Sequence, residues 1–104
     1  MYEYCTFISY YKPGNNKLVL LNDAQTWLIL SNKTVSNSNP SIYYVSSFAG
    51  NNYIVKPILD GDITYQKDDE YTNKLIITVS GDGNRQILIL HKGIKHNDPH
   101  PYIE

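Results

Sequence analysis

Apolar and polar residues follow one another along this chain in short segments, each closed by residues that form turns. Such segments, bounded by Gly, Pro, Asn, Asp or Ser, are typical of β-strands. They lie at residues 2–11, 18–21, 26–31, 42–48, 53–59, 63–66, 74–80 and 85–91. This spacing predicts one all-β domain at residues 1–93, a small antiparallel β-sandwich or barrel of about seven to eight short strands.

Turn residues also predict how some of these strands are connected. Asp60-Gly61 is a frequent hairpin dipeptide, so we expect strand 53–59 to pair with strand 63–66 across it. Residues 81–84 predict a second hairpin between the last two strands. Pro57 lacks the backbone donor of a sheet ladder and therefore predicts an edge strand or a bulge.

Three segments are apolar at every position instead of every second one, namely 18–21, 27–30 and 87–90. A strand that is apolar on both faces must be covered on both faces. In so short a chain we expect a second sheet to cover one side and another subunit to cover at least one of the other sides. Val19, Ile29 and Ile89 are then not all completely hidden in a single copy. The alternative is that 18–21 and 87–90 are central strands covered by loops of the same chain.

The last residues, 94–104, form a tail of a different kind, with two prolines that cannot continue a central strand. The tail is either disordered or an extended arm. Two apolar residues at its end, Tyr102 and Ile103, favour an arm that docks into a groove. If that groove belongs to a neighbouring copy, the tail is an assembly device.

Composition narrows the class of partner and the compartment. The chain has 104 residues and a formal net charge of −1, so no global field attracts nucleic acid or an anionic membrane. One cysteine excludes an internal disulfide, and no apolar run is long enough for a membrane helix.

No secretory signal opens the sequence, so we expect synthesis in the cytoplasm. The richness in Asn, Tyr, Ile and Lys matches AT-rich codons and suits a phage or virus protein, either a structural piece or an inhibitor of a host protein.

Candidate chemistry is sparse, and we expect no enzyme and no cofactor. His96, Asp98 and His100, with His91 upstream, are the only residues with a spacing that resembles metal ligands, and Pro99 interrupts their alternation. A catalytic cysteine needs a base beside it. Cys5 lies instead in a strand pattern, where a free cysteine usually behaves as a small buried apolar residue. A small hydrolase or a metal-binding protein is therefore the least favoured alternative.

The positive signal is a set of aromatic residues beside turns that are rich in Asn and Ser. Tyr offers a large contact area at a low entropic cost, and Asn and Ser adapt their hydrogen bonds, so this mixture recurs in recognition surfaces. The predicted contact residues are Tyr10, Tyr11, Tyr43, Tyr44, Tyr53, Trp27, Tyr102 and Ile103. The sequence favours a non-enzymatic protein-binding or self-assembling domain, a homo-oligomer or a binder of another protein. The alternative is a glycan-binding module in which Trp27 or the tyrosines stack on sugar rings.

Overall fold

The computed structural model describes residues 4–11, 14–20, 26–33, 38–47, 53–68, 75–81, 84–91 and 101–104. Within these ranges the chain forms nine β-strands. They are β1 (Tyr4–Tyr11), β2 (Asn16–Val19), β3 (Thr26–Lys33), β4 (Ser41–Ser47), β5 (Tyr53–Leu59), β6 (Thr64–Lys67), β7 (Ile76–Ser80), β8 (Asn84–His91) and β9 (Tyr102–Ile103). Among these residues no helix is long and apolar enough to cross a membrane.

The strands form two antiparallel sheets. One has five strands in the order β1-β8-β3-β4-β5, and the other has four in the order β6-β7-β2-β9. Each strand places alternate side chains on opposite faces, and one face of each sheet points into a shared core. The predicted all-β class is therefore confirmed, and the architecture is a β-sandwich and not a closed barrel, because each sheet ends in open edges.

The core between the sheets consists of large apolar side chains from both. Trp27 and Ile29 of β3 and Ile87 and Ile89 of β8 are fully buried there. They pack with residues that are contributed mainly by the opposite sheet, among them Leu18, Leu20, Ile63, Leu75, Ile77 and Val79. Burial of this apolar surface is the main favourable contribution to folding.

The segments that are apolar at every position, 18–21, 27–30 and 87–90, were expected to need cover by a second subunit. The structure covers their test residues in another way. Val19, Ile29 and Ile89 are each 0% exposed in a single copy, so the expectation that one of them needs a second subunit is wrong. Ile29 and Ile89 face the opposite sheet within the sandwich. Val19 lies on the other side of β2, between Ile76 of β7 and Tyr102 of β9 in register. The alternative, cover by the same chain, holds for these residues.

The end of the tail docks on its own chain. Tyr102 and Ile103 pair with β2, opposite Val19 and Leu18 respectively, and the amide of Glu104 donates to the carbonyl of Lys17 over 2.9 Å. Ile103 also packs against the core. This strand adds a ninth element that the turn spacing did not predict. The preceding part of the predicted tail, 94–100, lies outside the described residues.

Neither predicted hairpin forms, because both connections pass from one sheet to the other. β5 and β6 belong to different sheets, and so do β7 and β8.

The structure requires glycine at position 61 because of a close backbone contact and not because of a hairpin turn. A Cβ at this position would lie 2.2 Å from the carbonyl oxygen of Pro40, so only glycine permits this close approach of two backbones. The prediction for Pro57 is confirmed, since β5 is an edge strand whose register with β4 shifts between Ile42 and Tyr43.

Candidate functional site

The side of the five-stranded sheet that points away from the core carries two adjacent rows of apolar side chains. We call this side the outer face. Its first row runs across all five strands as Phe7, Leu88, Leu30, Ile42 and Leu59. Its second row runs as Cys5, Leu90, Leu28, Tyr44 and Lys56. Among these ten residues only Lys56, on the edge strand β5, is charged.

The two edges of the outer face are open to solvent in a single copy, and its centre is partly buried. Phe7 is 61% exposed at one edge, and Ile58 and Leu59 are 61% and 44% exposed at the other. The four leucines of the central strands β3 and β8 are half-buried. A shallow groove between Phe7, Leu30, Ile42 and Leu88 crosses the first row. Large exposed apolar residues that lie next to one another are typical of interaction sites, unlike single scattered ones.

Polar residues border the two apolar rows on one side. Ser9, Gln86 and Asn32 lie side by side on β1, β8 and β3. On the other side of the rows, Thr26 and Ser46 lie next to each other on β3 and β4, and Ile54 of β5, which is 46% exposed, continues this row. An apolar centre with few charges and a polar rim is the usual anatomy of a protein–protein interface.

The corresponding side of the four-stranded sheet is different. Its accessible residues in β2, β6 and β7 are polar, with Lys17, Thr78 and Gln66 side by side in register. Of the apolar residues on this side, Val19 and Ile76 are 0% and 6% exposed, and Tyr102 on the two-residue strand β9 is 39% exposed. The contrast between the two sheets makes the outer face of the five-stranded sheet the candidate site.

The eight predicted contact residues are divided between core and surface. Trp27 is fully buried, and Tyr43 and Tyr53 are only 5% and 6% exposed, so their rings do not form a contact surface in this fold. Tyr10 and Ile103 are partly buried and pack against the core. Tyr11 and Tyr102 are exposed and Tyr44 is partly buried, and of these three only Tyr11 and Tyr44 lie on the outer face.

The predicted contact residues do not include the side chains that dominate this surface, Phe7, Leu28, Leu30, Leu88 and Leu90. The four leucines belong to segments 27–30 and 87–90, for which the uninterrupted apolar pattern led us to expect cover by another subunit. That pattern shows that both faces of these strands are apolar, but it does not show which face meets the second sheet.

The buried tyrosines serve the interior. The Tyr53 hydroxyl donates a hydrogen bond that is shared between the carbonyl oxygens of Ile76 and Asp68. This hydrogen bond connects β5 to the opposite sheet. The rings of Tyr43 and Tyr65 meet edge to face with centroids 4.9 Å apart. Burial raises the pKa of both the Tyr43 and the Tyr65 phenols, so both stay neutral in the core.

One charged side chain, Arg85, is completely buried at one end of the sandwich. Its guanidinium donates to the Tyr10 hydroxyl over 3.0 Å, to Asn16 Oδ1 over 2.6 Å and to the Gly14 carbonyl over 2.7 Å, and it also donates to the carbonyl of Gly81. No carboxylate among the described residues pairs with it. Arg85 therefore joins β1, β2 and the end of β7 through neutral acceptors, which is a structural role.

The groups considered for catalysis or metal binding are dispersed. Cys5 is exposed, contrary to the expectation of a buried thiol, because it lies on the outward side of the edge strand β1. His91 is buried at the end of β8, and its Nε2 lies 3.2 Å from the Thr6 hydroxyl. His96, Asp98 and His100 lie outside the described residues. Within the described part of the chain, no three His, Cys, Asp or Glu side chains come together as metal ligands would.

The described carboxylates near β4 and β6 have structural partners. Asp62 accepts a hydrogen bond from the amide of Asn39 over 2.9 Å and lies 3.9 Å from the Lys33 ammonium. The hydrogen bond from the Asn39 amide is the main reason that the pKa of Asp62 is lowered. Asp68 forms an ion pair of 3.2 Å with Lys17. Each of these carboxylates therefore helps to hold a strand or a connection in place.

Comparison with protein-family models, with characterised proteins and with solved structures finds no match for this chain. A functional proposal therefore rests on the geometry of the outer face.

Proposed function

We propose that this chain is a non-enzymatic, self-assembling β-domain whose outer face packs against the outer face of a second copy. The observation that supports the proposal is the pair of apolar rows across all five strands, with Lys56 at one edge as their only charge. Transfer of such a surface out of water is favourable, at roughly 25 cal/mol per Å² of apolar area.

The size of the outer face suits a second copy. Five strands about 4.8 Å apart and about eight residues long at 3.3 Å per residue cover about 600 Å² in projection. Two such faces in contact, with their polar borders included, bury on the order of 1,200 Å² in total, which is the lower end of the range of specific protein–protein interfaces. Two sheets that pack face to face in this way lie about 10 Å apart, as the two sheets within a sandwich do.

The charge of the outer face also suits a second copy. Without charged residues in the middle of the rows, the outer face offers nothing that would select a partner of opposite charge. A net charge of −1 per chain gives little repulsion between copies. A self-complementary patch that meets its own copy across a twofold axis is the commonest arrangement in homo-oligomers.

The glycan-binding alternative has less support. Trp27, the preferred stacking residue, is fully buried, and the accessible aromatic residues on the outer face, Phe7, Tyr11 and Tyr44, lie in different rows. A role in a phage or virus particle stays an expectation from composition alone.

The experiment compares the solution mass of three proteins by sedimentation equilibrium from micromolar to millimolar concentration. The unchanged chain is expected to reach at least twice the 11.9 kDa of one copy. Leu88→Lys places a charge inside the first row, between Phe7 and Leu30, and is expected to weaken the dimer by about tenfold or more, since an interfacial charge would be buried without a partner. Gln86→Lys is the matched control, because it adds the same charge two residues away on the same strand and face but in the polar row, at the rim of the contact, where a charge stays in water and costs little.

Urea unfolding of each variant establishes that the fold is retained. A monomeric unchanged chain over the whole concentration range would contradict the proposal. Equal weakening of the dimer by Leu88→Lys and Gln86→Lys would contradict the assignment of the contact to the apolar rows.

A further inference from the structure

Within the described part of the chain, strand β1 is a long sheet edge without the features that normally prevent edges from pairing. It runs for eight residues, Tyr4–Tyr11, and it pairs with β8 on one side and with no other described strand on the other side. None of its eight residues is charged and none is proline. In an antiparallel strand, only every second residue directs its N–H and C=O toward a given neighbour. About half of the backbone groups of β1 therefore face away from the sheet.

The other three edges carry protective features. β5 contains Lys56 and Pro57 and has a register shift beside it. β6 is four residues long and includes Lys67, and β9 is two residues long. Short length, lysine, proline and bulges are the usual means by which proteins protect the edges of their sheets. Among the described edges β1 alone lacks them, and such an edge is a template for another strand.

We propose that β1 pairs antiparallel with β1 of a second copy, so that two five-stranded sheets become one continuous ten-stranded sheet. The inference rests on the proposed self-assembly for the identity of the partner, but it concerns a different contact. Two identical strands related by a twofold axis satisfy each other's outward backbone groups with one symmetric interface. The absence of charge on β1 removes the repulsion that would oppose this pairing and offers no feature to select a charged peptide instead.

The position of Phe7 determines the expected register. A twofold axis perpendicular to the sheet keeps the outer faces of both copies on the same side. If the axis passes beside Phe7, the two Phe7 rings, each 61% exposed in one copy, shield each other. Cys5 then lies opposite Ser9 of the second copy. The two outer faces merge into one larger apolar surface, which can still pack against another such sheet.

Residue-resolved hydrogen exchange tests this pairing, because contact between outer faces does not hydrogen-bond the outward amides of β1. In the assembled protein, consecutive amides of β1 are all expected to be protected. In Ser9→Lys, which adds one of the usual protective residues to this edge, every second amide is expected to exchange fast while the amides bonded to β8 remain protected. Gln86→Lys is the control, since Gln86 lies beside Ser9 on the neighbouring strand.

Oxidative cross-linking tests the register. Opposite residues in an antiparallel pair have Cα atoms about 4.5–5.5 Å apart, within the range of a disulfide. Ser9→Cys is therefore expected to form a cross-linked dimer through Cys5 of the other copy. The unchanged chain is not expected to do so through this contact, because its two Cys5 residues would be four positions apart, about 13 Å.

The outcomes separate this contact from that of the outer face. Protected outward amides together with the cross-link support strand pairing. Fast exchange of the outward amides in a sample that sediments as a dimer would contradict strand pairing and leave the outer-face contact standing. A monomer at all concentrations would contradict both. Protection of these amides only after another protein is added would assign the edge to a different partner and overturn pairing between copies.

Discussion

Arg85→Ala is expected to lower the free energy of unfolding by about 3 kcal/mol or more, because hydrogen bonds from a charged group contribute roughly 1.5–3 kcal/mol each. The substitution removes four donor contacts, to Tyr10, Asn16, Gly14 and Gly81, from a fully buried position. The acceptors left behind are buried or partly buried and lose their donor. Such a loss is a large fraction of the stability of a small domain, so urea or thermal unfolding followed by circular dichroism measures it directly.

Arg85→Lys provides the matched control. Lysine keeps the positive charge but lacks the planar fork that reaches several acceptors at once. We expect it to be less stable than the unchanged chain and more stable than Arg85→Ala. If Arg85→Ala unfolds at the same urea concentration as the unchanged chain, the guanidinium does not hold the end of the sandwich together.

Trp27→Ala is expected to cost about 3–5 kcal/mol, the usual range for removal of a large aromatic side chain from a core. Trp27 lies on β3, in the middle strand of the five-stranded sheet, and is 0% exposed. Its indole Nε1 is buried and has no hydrogen-bond partner in the described structure. The same unfolding measurement applies to this variant.

Trp27→Phe separates packing from the indole N–H. Because that N–H has no hydrogen-bond partner among the described residues, its removal breaks none of the described polar contacts, and the smaller ring volume determines the expected cost. We expect Trp27→Phe to cost about 1–2 kcal/mol, well below Trp27→Ala. A loss under about 1 kcal/mol for Trp27→Ala would show that Trp27 is not a core residue and would reopen its predicted role as a sugar-stacking residue.

The class of fold could be predicted because strand signals are local. Short apolar segments and turn residues identified eight of the nine strands, all but β9, and Pro57 marked an edge through its missing donor. The partner of each strand could not be predicted in the same way. Asp60-Gly61 predicted a hairpin from its backbone preferences. In the structure, Gly61 is fixed by a close approach to Pro40, which is distant in sequence.

The candidate site could be predicted only in part for a related reason. A strand such as 87–90, which has no polar position, has two apolar faces. Each of them is either buried against another part of the protein or exposed as an apolar interaction surface. The choice between Leu88 and Ile89 for the interior depends on the register with its neighbours, which only the assembled sheet determines. The tyrosines were misassigned for another reason. Tyr53 is acceptable in a core once its hydroxyl finds carbonyl oxygens on the opposite sheet, and no local pattern reveals those acceptors.

Cys5 offers a test of self-assembly that needs no substitution. It is the only cysteine, it is exposed in a single copy, and it lies both in the second row of the outer face and on β1. Either proposed contact would cover it. Its rate of labelling by a thiol reagent can therefore be measured as a function of protein concentration.

We expect labelling of Cys5 to slow by several-fold as the concentration rises into the range where sedimentation shows a dimer. In the same range Leu88→Lys is expected to label faster than the unchanged chain. A labelling rate that is the same at every concentration would show that no second copy covers this side of the sheet, and self-assembly through the outer face would be contradicted.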